Sequence, residues 1–318
     1  MKGVFLDLDT VSYQGDVKLR PLEKVLSVLR AFGTTANDKL VENVADAEVV
    51  IVNKVKLSAD VVKRLEAVKL ICVAATGVNN VDLAAAWDRK IGVCNVPAYS
   101  TMSVAQHAFA LLLALNQHLK GYEQLMQQGA WKRAPQFTLL DYPIRELAGK
   151  TLGLVGFGDT GRAMARMAEG FGMQVLVAAR NRDDNRPGRV QLEEMLPQVD
   201  ALSIHAPLTP ETRGMIGPKE LILLKPDAIL INCSRGGIVD EAALAAMLRA
   251  GRLGGAGVDV LTEEPPVHGN PLLDPSIPNL IVTPHVAWAS REARQRVVDE
   301  MAKNIAAFQK QELRNRVA

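Results

Sequence analysis

Short apolar runs rich in β-branched residues recur along the chain and alternate with stretches whose apolar residues fall at helical spacing. The runs are VVIVNK at 49–54, KLICVAA at 69–75, TLGLVGF at 151–157, QVLVAAR at 174–180, ALSIHA at 201–206, AILINCS at 228–234, GAGVDVL at 255–261 and LIVTPH at 280–285. They are continuously apolar and do not alternate with polar residues, as expected of strands covered on both faces. The pattern predicts an α/β fold built on mostly parallel strands.

Two stretches share one plan. LICVAATGVNNVDLAAA at 70–86 and ILINCSRGGIVDEAAL at 229–244 each run from apolar strand through a Gly-containing turn and a Val-Asp pair into an Ala-rich helix. Each half is therefore expected to own a sheet. Between them lies STMSVAQHAFALLLALNQHLKGYEQLMQQG, apolar at helical spacing from Val104 to Leu115 and more thinly to Met126, which predicts one long connecting helix. A second amphipathic pattern, REARQRVVDEMAKNIAAFQKQEL, follows the last run, and its natural role is to return to the first domain.

Size and charge narrow the function classes. The 318 residues suit two domains at roughly 150 residues each, large enough for self-sufficient cores. With 37 Lys and Arg against 35 Asp and Glu, the net charge of +2 leaves no footprint for wrapping nucleic acid or lying on an anionic membrane. The three cysteines, Cys72, Cys94 and Cys233, are odd in number and never spaced as CxxC, which suggests a reducing compartment and no structural metal. The N-terminal MKGVFLDLDT carries acids in its first apolar run and makes a poor signal peptide. No stretch approaches the roughly 18 uncharged apolar residues of a membrane span. A cytoplasmic protein is expected.

The segment LGLVGFGDTG places Gly156, Gly158 and Gly161 in GxGxxG spacing between a strand and an Ala-rich helix over 162–170. Gly156 permits the tight turn, Gly158 lets backbone amides approach a pyrophosphate, and Gly161 lets the helix pack on the strand. The helix N-terminus adds partial positive charge. With a second strand following at the expected distance, the motif predicts dinucleotide binding. The end of that strand normally carries an acidic residue, about 20 residues on, for the adenosine ribose. Here the chain reads Ala178, Ala179, Arg180, Asn181, Arg182. Arg180 and Arg182 could grip a 2′-phosphate with planar, charge-assisted bonds, which favours NADPH over NADH. The other reading leaves both arginines as solvated loop charges and turns Asp183 or Asp184 back to the ribose.

Charged residues also stand at three later strand ends: Arg235 in NCSRGGIVDE, Asp259 and Glu264 in GVDVLTEEPP, and His285 in VTPHVAWAS. In an open α/β sheet these ends share the edge that holds the glycine turn. Reduction of a ketone needs a proton donor for the developing alkoxide, a role suited to a histidinium. A carboxylate behind the ring favours its charged form and fixes its tautomer, and Arg235 can hold a substrate carboxylate and polarise the carbonyl beside it.

Together the segments ATGVNNVDL, SVAQHAFALLL, LGLVGFGDTG, HAPLTPETRGMIG, KPDAILINCSRGGIVDEAAL, GVDVLTEEPP and TPHVAWASREARQR resemble the D-isomer-specific 2-hydroxyacid dehydrogenases over essentially the whole chain. DYPIRELAGKTLG and HVAWASREARQR look most like the bacterial branch acting on glycerate and hydroxypyruvate. The resemblance implies two open doubly wound parallel-sheet domains with a cleft between: a flavodoxin-like substrate domain over 1–98 plus 289–318, and a Rossmann-type nucleotide domain over 99–288. It implies that Arg235 binds the substrate carboxylate and keto oxygen, that His285 is the acid/base, and that Glu264 is its partner. It implies carboxylate-holding amides at Thr76, Gly77 and Val78 with Asn53 or Lys54 nearby. It further implies cofactor contacts at Val104, Asp159, Thr160, Arg180, Ala206, Pro207, Thr212, Cys233, Ser234, Asp259 and Ala287. The first domain would close as a hinged lid and exclude water.

Some positions depart from the family pattern. Asp159 stands where a basic residue is common near the pyrophosphate, so only its backbone would serve; Ala179 replaces the acidic ribose ligand; Gln106 replaces a common Glu. Trp288 is either a cover of the substrate pocket or packing at the domain junction. The LLLALNQHL stretch and the arm through Trp131, Phe137 and Tyr142 suggest a homodimer interface, against a reading as intradomain core. The expected activity is NAD(P)H-dependent reduction of hydroxypyruvate or glyoxylate, reversible as D-glycerate oxidation, with no metal and no nucleic-acid or membrane partner. The competing readings are another 2-hydroxyacid such as phosphoglycerate, for which the first domain offers mainly Lys54 and Lys56, and a dinucleotide-sensing corepressor.

Overall fold

In the computed structural model, which describes residues 1–318, every pair of neighbouring strands is parallel. The chain divides into two units, Met1–Ser100 with Trp288–Ala318, and Thr101–Ala287. The first holds β1 (Lys2–Phe5), β2 (Val28–Ala31), β3 (Val49–Val52), β4 (Leu70–Val73) and β5 (Gly92–Cys94), in the order β2-β1-β3-β4-β5. The second holds β6 (Thr151–Val155), β7 (Gln174–Ala178), β8 (Arg189–Val190), β9 (Ala201–Ile204), β10 (Ile229–Asn232), β11 (Gly255–Val258) and β12 (Leu280–Val282), ordered β12-β11-β10-β9-β6-β7-β8. The expectation of an α/β fold with a parallel sheet in each half is met. The first order is the flavodoxin-like one and the second the Rossmann-type one.

Continuous apolar runs form these strands because each sheet carries an apolar layer on both faces. Along β10, Leu230 joins one cluster with Leu202, Ile204 and Val258, while Ile229 and Ile231 join another with Leu152, Leu154 and Leu112. In the first unit Phe5, Ile51 and Leu70 face one cluster, and Val4, Val50 and Ile71 the other. The helix Arg291–Gln309 packs on the first of these through Val297, Val298, Met301 and Ile305, as its amphipathic pattern predicts. Each fully buried side chain of that kind stabilises the packing by about 1.5–3 kcal/mol. The tail then covers the β5 edge, with Val317 donating to the Val93 carbonyl and Val93 to that of Ala318.

The connecting segment departs from the single helix read from its pattern. Helix Thr101–Asn116 ends, His118 takes a left-handed φ of 49°, and a second helix runs Leu119–Gln127. The break follows the thinning of the apolar face: the first helix buries Leu111, Leu112 and Leu115, the second buries nothing. Asn116 instead turns its amide onto the Arg145 carbonyl at 2.5 Å. Leu111, Leu112 and Leu115 of LLLALNQHL thus belong to the unit's own core, with Leu113 partly buried against it, whereas Leu119, Trp131 and Phe137 are exposed.

Candidate active site

The glycine turn lies where strand order reverses, between β6 and β9, the usual ligand crevice of an open sheet. Gly156 has φ +93°, and a Cβ there would meet the backbone of His205 and Ala206 at 2.6–2.7 Å. A Cβ on Gly161 would meet the Gly156 carbonyl at 2.3 Å, so both glycines are required by close approach. A Cβ on Gly158 would meet nothing within 4 Å. Open space therefore lies over the N-terminus of the helix Asp159–Gly170, whose cap makes no side-chain hydrogen bond. That combination of free space and unpaired helix amides fits a dinucleotide pyrophosphate. The Asp159 carboxylate turns to Arg162 at 2.6 Å, leaving its backbone and that of Thr160 for the helix end. Along the neighbouring loop, Thr212 holds the turn by donating to the Pro207 carbonyl at 2.6 Å, beside the buried Ala206. His205 is enclosed at 2.9 Å from the Ser203 hydroxyl, and burial lowers its pKa to about 4, so its imidazole stays neutral.

Beyond β7 the loop carries three arginines, and a fourth, Arg189, opens β8. Asp184 accepts the Arg180 amide at 2.8 Å and pairs with Arg186 at 2.6–2.7 Å, which holds its carboxyl well below the usual range. Arg180 and Arg182 are exposed. Arg189, on β8, stacks its guanidinium 4.9 Å from the centre of the Phe157 ring inside the glycine turn, with its Nε buried and without an acceptor. Its sequence position gave no sign of this, because the edge strand that brings it back to β7 is only two residues long.

Arg235, Asp259 with Glu264, and His285 follow the adjacent strands β10, β11 and β12. His285 Nδ1 lies 2.7 Å from Glu264 Oε2, and Glu264 Oε1 accepts the Leu261 amide at 2.9 Å. The carboxylate is thus anchored by one oxygen and orients the imidazole with the other. Arg235 is exposed and donates to the Ser234 carbonyl at 2.7 Å. Its turn is fixed by Asn232, which accepts from the Ser234 amide and hydroxyl and donates to the Arg235 carbonyl. A Cβ on Gly236 would strike the Leu261 carbonyl carbon at 2.0 Å, so the Arg235 turn rests directly on the segment that leads to Glu264. Glu241 braces that segment by accepting from the Thr262 amide and hydroxyl and from Asn270. Sequence reading missed Asn232 and Glu241; a polar residue ending the apolar run of β10 was the available signal for the first.

The Asp259 carboxylate, 1% exposed, accepts the Val286 and Ala287 amides at 2.9 Å each. Cys233 is buried beside it, and burial followed by that charge pushes its thiol well up. Val104 packs at the edge of the same unit's core.

In the first unit the amides of Thr76, Gly77 and Val78 donate to no carbonyl, while Thr76 Oγ1 and Asn95 pin the turn to its neighbours. Successive unpaired amides make a concavity suited to an anion. Asn53, 3% exposed, gives its amide to Asp7 and its side chain to Thr10, and Asp7 also takes the amides of Lys54 and Val55. Trp288 packs edge-on to Tyr99 at 6.3 Å, against the cluster under the C-terminal helix.

Residues 109–287 match the family model described as D-isomer specific 2-hydroxyacid dehydrogenase, NAD binding domain. The chain is 43% identical over 307 residues to a glycerate dehydrogenase of Methylorubrum extorquens, covering 96% of each protein. It is 35% identical to a hydroxypyruvate reductase of Blautia hydrogenotrophica, covering 98% of this chain and 97% of that one. Among solved structures, an acyclic imino acid reductase in complex with NADPH and D-Arg superposes with a TM-score of 0.84 at 28% identity, covering 100% of both chains.

Proposed function

The chain belongs to the D-isomer-specific 2-hydroxyacid dehydrogenases, and on that premise we propose that it reduces a small 2-keto acid, hydroxypyruvate or glyoxylate, to the D-2-hydroxy acid, and runs in reverse on D-glycerate. The observation that carries the reading is the His285–Glu264 pair at 2.7 Å, one strand over from the buried Asp259 and two from Arg235. A bound reduced nicotinamide would supply the hydride. Glu264 accepts the Nδ1 hydrogen, which sets the imidazole to donate from Nε2 to the oxygen that becomes the alcohol. Arg235 holds the substrate carboxylate with its fork and polarises the adjacent carbonyl. Taken by itself, the first unit offers the open amides of Thr76, Gly77 and Val78 to a substrate carboxylate, and Asn53 fixes the loop that bears Lys54.

NADP(H) is the favoured cofactor. Ala179 offers no carboxylate, both oxygens of Asp184 are engaged, and the exposed Arg180 and Arg182 follow the end of β7 as the ligands of a 2′-phosphate. Two further features extend the reading. Phe137 at 90% and Leu140 at 81% exposure give the arm an apolar surface suited to a second copy of the chain. No helix is long and apolar enough to cross a membrane, and the unpaired, buried Cys72, Cys94 and Cys233 fit a reducing cytoplasm.

Initial rates of NADPH and NADH oxidation, measured separately with hydroxypyruvate, glyoxylate and pyruvate, test the proposal. Higher catalytic efficiency with NADPH and either of the first two acids is expected. A preference for NADH would overturn the arginine argument, and no turnover of any of the three would overturn the substrate assignment.

A further inference from the structure

We propose that His107, on the helix Thr101–Asn116, is a positioning residue for His285, acting through Thr283 and the buried Asp259. The inference rests on the reading of His285 as the acid/base.

His285 needs such support. Its φ of 54° lies in the left-handed region, which costs a residue with a Cβ about 1 kcal/mol or more and persists only when the surroundings impose it. Asp259 imposes it from both its backbone and its side chain. The Asp259 carbonyl accepts the His285 amide at 2.8 Å, Oδ1 accepts the Val286 amide and Oδ2 that of Ala287, both at 2.9 Å. The remaining bond comes from the Thr283 hydroxyl, 2.5 Å from Oδ1.

Hydrogen bookkeeping extends the chain by one residue. A carboxylate only accepts, so Thr283 spends its single hydroxyl hydrogen on Asp259. Its oxygen is then an acceptor toward His107 Nε2, 3.1 Å away, and Nε2 must carry a hydrogen. The same nitrogen stands 3.6 Å from Asp259 Oδ1. His107 therefore orients the Thr283 hydroxyl, which fills the last bond of a carboxylate that dictates the path of residues 285–287. Loss of the imidazole frees that hydroxyl to turn and leaves the buried carboxylate short of a donor, which loosens the backbone under His285. The effect falls on the chemical step and spares the glycine turn, which belongs to β6.

The test compares His107→Leu, His107→Gln, Thr283→Val, the His107→Leu/Thr283→Val double variant and His285→Ala in single-turnover rate, steady-state kcat and NADPH dissociation constant. His107→Leu should lower kcat roughly 10- to 100-fold, the scale of a misplaced catalytic group, with a much smaller change in the NADPH dissociation constant because the pyrophosphate site is untouched. His107→Gln keeps an amide donor near the Nε2 position and should recover most of the rate. The double variant should be no slower than Thr283→Val alone, since both act through one bond. Wild-type kcat in His107→Leu or Thr283→Val, losses that multiply in the double variant, or a loss explained by weaker NADPH binding would each overturn the proposal. If His107→Leu does not fold, His107→Gln against Thr283→Val decides by the same criteria. His285→Ala keeps the two ideas apart: its retained turnover would sink the acid/base reading, whereas its inactivity beside an unaffected His107→Leu would sink only this one.

Discussion

In the first unit β4 runs into Thr76-Gly77-Val78, Val81 forms a parallel bridge with Leu57, and Asp82 caps the helix Leu83–Asp88 by accepting the Ala85 amide at 2.9 Å. In the second, β10 runs into Ser234-Arg235-Gly236, Val239 bridges Ile216, and Asp240 caps the helix Glu241–Arg249 through the Ala243 amide, again at 2.9 Å. Counted back from the capping aspartates, Gly77 and Arg235 occupy the same place. One copy of the connection offers bare amides there, the other a guanidinium. All five histidines also lie in the second unit. The backbone plan is thus a shared scaffold, and the chemistry follows from side chains grafted onto one copy.

The largest effect should come from erasing that difference. Arg235→Gly, which installs the first unit's residue, is expected to lower kcat/KM by about 10³-fold, the scale of a lost preorganised donor, while NADPH binding persists; steady-state kinetics beside a binding titration would check it. Next is the histidine asymmetry. His205 has an unfolded pKa near 6.5 and a folded one of about 4, so its neutral ring contributes fully above pH 6.5. That contribution, up to about 3 kcal/mol, is lost as pH falls toward 4 because the unfolded chain then binds the proton more readily. Urea unfolding across that window should show the loss, and His205→Gln should flatten it. Gly236→Ala should cost roughly 1–3 kcal/mol by overpacking, since its Cβ meets backbone, and should slow turnover with it; Val78, its counterpart, already bears a side chain and should accept alanine with little change in melting temperature. The smallest effects test the shared scaffold itself. Asp82→Ala and Asp240→Ala should each cost about 1 kcal/mol, and clearly unequal losses would argue against an equivalent connection.

Continuous apolar runs revealed β3, β4, β6, β7 and β9 to β12, the last of them an edge strand. They did not reveal the interior β1, four residues at the very start of the chain, or the edge strands β2, β5 and β8: β2 carries Arg30 and an exposed Val28, β5 has three residues and β8 two. The break at His118 was equally silent, since helical spacing of thin apolar positions continues across it. The catalytic candidates were legible because charged residues closing apolar strands are conspicuous. Their supports were not. His107, Glu241 and Arg189 meet Thr283, Thr262 and Phe157 only after the sheet has brought distant segments together. Asp184 was read as a possible ribose ligand, yet its use depends on Arg186, a partner that spacing alone does not select.

The most direct test of the central claim follows the transferred atom. With the enzyme, NADPH deuterated at C4 and hydroxypyruvate, the account predicts deuterium at C2 of glycerate and the D configuration at that carbon. L-glycerate, or no deuterium transfer to hydroxypyruvate, glyoxylate or pyruvate, would contradict it.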